Sequence, residues 1–117
     1  MEIEEVMAPV VDDMETTIRR FAGRIELWEK FLLKFKDDLT YTELQTAYEL
    51  SDGPAMERAA HTMKGIAANL GLQRLSDASA DMVRSVRENR PDLFEKNMEA
   101  VRREYQAVLD AIRKFAD

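Results

Sequence analysis

The C-terminal part of the chain sets apolar residues at alternating spacings of four and three: Phe94, Met98, Val101, Tyr105, Val108, Ile112 and Phe115. Such a seam is satisfied by a helix laid against other helices. The same period runs upstream. Trp28, Phe31, Leu32, Phe35 and Leu39 share one helical face, and Leu44, Ala47 and Tyr48 extend it. One long helix is therefore expected over about residues 24–50, bent near Thr40. The stretch SDGP at 51–54 stops it, with Gly53 suited to a left-handed or capping position and Pro54 to the first turn of the next helix. That helix is expected over about 54–70, closed by Gly71. A third runs over about 73–89, with Leu75, Ala78, Met82 and Val86 on one side, and Pro91 opens the last. METTIRRFAG reads as a short helix ending before Gly23. No segment alternates with the period of a strand. Short connections favour antiparallel neighbours, so the expected fold is all-α: an antiparallel up-down four-helix bundle with a short N-terminal capping helix. The aromatic and methionine stripes read as its core.

A chain of 117 residues, 45% of them apolar, supports one domain with a real core. It has no cysteine and one histidine, which excludes a disulfide frame and thiolate chemistry and leaves few ligands for zinc. No apolar run is long enough to span a membrane and the acidic start is unlike a signal peptide, so a cytoplasmic protein is expected. The formal charge is −6, and the acids Glu2, Glu4, Glu5, Asp12, Asp13 and Glu15 account for all of it. A neutral body behind an acidic start argues against nucleic acid as a partner. Residues 1–13 are set apart as an acidic N-terminal segment, expected to be a solvated, partly disordered tail ahead of a bundle over 14–117.

The only histidine lies in HTMKGIAANLG, residues 61–71. On a helical wheel with Met56 at zero, the residues Ala59, Ala60, Met63, Ala67 and Leu70 make the buried face. His61 falls at about 140°, beside Lys64 at about 80°, Ala68 at about 120° and Gly65 at about 180°. The imidazole therefore projects away from the bundle, and its neighbours one turn on are Lys64 and Gly65. Each suits an imidazole that carries a phosphoryl group. A free imidazole titrates near ~6.5, so at neutral pH a large fraction holds a nucleophilic lone pair. Lys64 places positive charge near incoming phosphoryl oxygens. Gly65 costs the helix about 1 kcal/mol relative to alanine but bares its backbone to a second protein. Singly, each has a plain alternative: a surface histidine without role, solvated charge, and a glycine that permits close packing inside the protein. One geometry explains all three together.

His61, Lys64 and Gly65, with Gly71 further on, resemble the signature of the histidine-containing phosphotransfer (HPt) domain family. IRRFAGRIELWEKFLLKF is similar to the family's segment leading into its first long bundle helix. ELSDGPAMERAAHTMKGIAANLGLQRLSDASADM resembles the hairpin bearing the phosphorylated histidine. The likeness covers residues 14–115 and is strongest over 51–82. It implies a four-helix bundle whose His61 is phosphorylated at Nε2, taking the phosphoryl group from a receiver-domain aspartate and passing it to another. It also implies that Lys64 lies near the phosphate, that Gly65 lets the receiver dock, and that Gly71 closes the helix; Ala68, which continues the low profile one turn on, is expected to share the docking surface. Response-regulator receiver domains and a hybrid histidine kinase are the implied partners. By the same resemblance the receiver brings Mg²⁺ and most catalytic groups, so this chain would be a phosphohistidine carrier in a phosphorelay with no cofactor or metal of its own, and a monomer is expected. One departure is Met82-Val83, where many relatives have a Leu-Glu pair. Val83 and Arg87 are expected to border the docking face, with Arg84 and Arg87 assisting the phosphate or the receiver.

Two other readings compete. A non-phosphorylated HPt-like adaptor would dock receivers or kinases without carrying phosphate, but has no use for the imidazole. An autonomous hydrolase or metal enzyme lacks a second histidine, a cysteine and a phosphate loop. Its paired carboxylates, Asp37 and Asp38, point about 100° apart on a helix.

Overall fold

Every segment with helical period is helix. In the computed structural model, which describes residues 2–116, the helices are α1 (Ile3–Met7), α2 (Met14–Arg20), α3 (Ile25–Lys36), α4 (Thr40–Glu49), α5 (Gly53–Asn69), α6 (Gln73–Arg87) and α7 (Phe94–Ala116). Short 3-10 turns cover Ala8–Val10 and Pro91–Leu93, and no strand occurs among the described residues. The chain is all-α, a helical bundle in which α5 packs between α4 and α6, and α7 packs on α6, α3, α4 and α1. Its core holds Trp28, Leu32, Leu44, Met56, Met63, Leu72, Leu75, Met82, Val101, Val108 and Ile112.

The expected long helix over 24–50 is two helices. The Asp38 carboxylate accepts the Thr40 backbone N–H at 2.8 Å, a local cap that competes with continued helix and starts α4 anew. Leu39 falls in this break and is 67% exposed, so it does not join the core. Phe31 also leaves the expected core stripe. It is 40% exposed, with Phe21 5.8 Å away between ring centroids and the Lys34 ammonium 5.4 Å from its own centroid. At the next boundary Ser51, not Gly53, takes the left-handed conformation, with φ 54°. Gly53 is the first residue of α5, and Asp52 caps that helix by accepting the Ala55 N–H at 3.1 Å.

The acidic N-terminal segment is not a solvated tail. Ile3, Val6, Met7, Val10 and Val11 are buried, and α1 packs on α7. These apolar positions themselves have helical spacing, which the acids around them mask when charge is counted. Asp12 lies 3.7 Å from Arg74 on α6.

Candidate functional site

Helix α5 has one buried stripe, Met56, Ala59, Ala60, Met63 and Ala67. Three of these five side chains are alanines, small enough to let α4 and α6 approach on either flank. Opposite the stripe stand His61, Lys64 and Gly65, all exposed. The end of α5 is fixed with unusual thoroughness. Gly71 has φ 81°, and the N–H groups of Gly71 and Leu72 close on the carbonyls of Ala68 and Ala67 at 3.1 and 2.8 Å. Side chains reach three carbonyls at this end, that of Ala68 again and those of Asn69 and Leu70. Arg20 donates to Ala68 at 2.9 Å and Asn69 at 3.1 Å, and the buried Trp28 indole donates to Leu70 at 3.1 Å. A guanidinium at a helix C-terminus also meets the negative end of the helix dipole.

Helix α6 runs antiparallel beside the histidine. Ser76 Oγ donates to the Lys64 carbonyl at 3.0 Å, and Arg87 Nε donates to the Glu57 carboxylate at 3.0 Å. Between these two ties the register brings Ala80 alongside the turn that holds His61. Ala80 is small and half-buried. Among the described residues, no side-chain hydrogen bond or ion pair engages the His61 ring or the Lys64 ammonium. A Cβ on Gly65 would meet nothing within 4 Å, so this glycine serves no internal close packing.

The structure brings together four of the expected site residues on α5: His61, Lys64, Gly65 and the half-buried Ala68. Arg87 reaches α5 from α6 through Glu57, one turn before His61. Arg84 is exposed but turned to its own helix, 3.1 Å from Asp81. Val83 corrects the expectation. It is 3% exposed and belongs to the core, because it lies on the side of α6 that packs into the bundle, so it offers no docking surface. Glu57, Arg20 and Trp28 carried no signal in the sequence for their parts here, since their partners lie 30 to 49 positions away. On the other flank of α5, Phe31, Lys34, Ile66 and Asn69 line a groove of about 240 Å³. No group of three or more His, Cys, Asp or Glu is arranged to hold a metal among the described residues.

Chemically, the site is a freely reachable imidazole with a cation one turn on and bare backbone beside it, held on a helix whose two ends are firmly capped. No described helix is long and apolar enough to cross a membrane. A family model for the Hpt domain matches residues 26–111, well over half of the chain. No curated protein and no solved structure matches it. The match includes all of α4, α5 and α6 and therefore the whole histidine-bearing face. The chain belongs to the Hpt domain family, whose members take part in two-component phosphotransfer as phosphocarriers rather than as enzymes.

Proposed function

We propose that His61 is the phosphorylated residue of a phosphorelay intermediate. The Nε2 lone pair attacks the phosphorus of a receiver aspartyl phosphate. The P–N bond forms as the P–O bond to the aspartate breaks, and the aspartate departs as a carboxylate while the ring keeps its proton on Nδ1. The reverse exchange delivers the group to a second receiver. Lys64 offsets charge on the phosphoryl oxygens during each transfer. Gly65 and Ala68 keep the surface low so that the receiver backbone can come close, and Arg87, held by Glu57, borders that surface. The groove lined by Phe31 and Ile66 adjoins it and offers apolar contact to the same partner. Metal and most catalytic groups belong to the receiver, and a hybrid histidine kinase feeds the relay in the cytoplasm. The bundle is read as up-down and antiparallel, with α3 and α4 together filling its first position, and the protein as a monomer.

The observation that carries this reading is the exposed imidazole well off the buried stripe of α5, with no side-chain partner among the described residues. An adaptor without phosphate gives no use for it. The test is a panel of phosphorylated receiver domains offered to the purified protein. A cognate receiver should label it, the label should be acid-labile and alkali-stable, and a second receiver should discharge it. ATP and Mg²⁺ alone should give no label. Rapid self-labelling, or a label that survives acid, would refute the proposal.

A further inference from the structure

We propose that the outer face of α4 is a second docking surface, which takes a cationic amphipathic helix of another protein and leaves His61 free. Leu39 and Leu50 are 67% and 73% exposed, and both line one groove of about 380 Å³. Single exposed leucines are ordinary on a protein surface. Two that flank one concavity, with Ala47 and Ala55 on its walls, make a continuous apolar strip. They lie eleven positions apart, so the strip runs for about 16 Å, or three helical turns. That length suits a partner helix with apolar anchors on successive turns.

The charge selects the partner. Residues 37–52 carry Asp37, Asp38, Glu43, Glu49 and Asp52 and no lysine or arginine. Glu43 and Asp52 stand on the groove itself. The complement is a helix with leucine-like side chains on one face and bases along its edges. A second copy of this chain is disfavoured, because it would set the same acids against each other and carries a net charge of −6. The groove reaches α5 at Ala55, six residues before His61 and about 120° around the helix. A partner seated there leaves the imidazole open, so it can stay bound while receivers exchange. This assignment does not depend on phosphorylation of His61.

The probe is a synthetic helix with leucines on one face and lysines on the other, beside a counterpart with glutamates in place of the lysines. Binding is followed by fluorescence anisotropy and mapped by amide chemical shifts on the full chain. The lysine helix should bind with shifts confined to residues 39–55, and both Leu50→Asp and Glu43→Lys should weaken it roughly tenfold. Both positions are exposed, and unchanged circular dichroism shows that the variants fold. His61→Gln should bind the lysine helix as the parent does, which separates this test from that of the relay. Equal binding of the glutamate helix, no loss in the two variants, or shifts centred on His61 would overturn the proposal. So would a dimer in sedimentation that Leu50→Asp abolishes, because the occupant would then be a second copy.

Discussion

The indole Nε1 of Trp28, on α3, donates a hydrogen bond to the carbonyl oxygen of Leu70, at the end of the histidine-bearing helix, over 3.1 Å. Trp28 is fully buried, so this bond closes a carbonyl that water does not reach. Trp28→Phe keeps an aromatic ring but leaves that acceptor alone, which costs about 1–3 kcal/mol, with a further cost for the space vacated. The urea midpoint should fall accordingly. Phosphotransfer by the molecules that remain folded should be near normal, because His61 is about two and a half helical turns from Leu70. Measuring both on one preparation checks the pair of outcomes.

Two glycines of the same stretch should respond in opposite ways. Gly65 lies inside α5 with open space where a Cβ would stand. Gly65→Ala should therefore hold or raise stability, by up to about 1 kcal/mol, and yet slow transfer because the methyl intrudes where a receiver docks. Gly65→Gln should slow it further with the fold intact. Gly71 has φ 81°, and a Cβ there overlaps the Thr17 side chain of α2. Gly71→Ala should lower the melting temperature by the equivalent of more than about 1 kcal/mol, and Thr17→Ala in the same chain should recover part of it. Thermal unfolding beside transfer rates separates the two glycines. An early-melting Gly65→Ala that transfers normally would contradict the docking role.

Alkaline pH should loosen the far side of the bundle. Tyr41 and Tyr105 stack at 4.2 Å with their rings 5° from parallel, and Phe35 meets Tyr105 edge-on at 5.8 Å. Burial, the largest cause for each, pushes both phenols above the ordinary value of 10.0. For an acid raised on folding, the folded chain holds its proton longer than the unfolded one. The stabilisation is thus complete below the unfolded value and declines as pH climbs through 10.0 toward the folded value. The melting temperature should fall across that window, and Tyr41→Phe with Tyr105→Phe should flatten the fall. An unchanged slope in the double variant would contradict the assignment.

Much of this was legible because helical period survives without context. The stripe of α5 and the seam of α7 follow from spacing alone, and the exposure of His61 follows from the wheel. Other features needed tertiary contact. Val83 sits near the rim on a wheel, yet it is buried in the core with the packed side of α6. The break at Asp37–Leu39 turns on one carboxylate that prefers a backbone N–H to solvent. The acids of residues 1–13 hid an apolar stripe that packs on α7. The Glu57–Arg87 and Trp28–Leu70 ties join positions 30 and 42 apart, which a single sequence does not pair.

The central claim is that the phosphoryl group resides on His61, and label transfer from a phosphorylated receiver to His61→Gln tests it most directly. Glutamine keeps the length and polarity of the side chain but has no ring nitrogen. Because His61 is exposed and engages no other side chain among the described residues, helical circular dichroism and melting temperature should match the parent. The account predicts no acid-labile label in the variant beside full labelling of the parent. Undiminished labelling of a folded His61→Gln protein would contradict it.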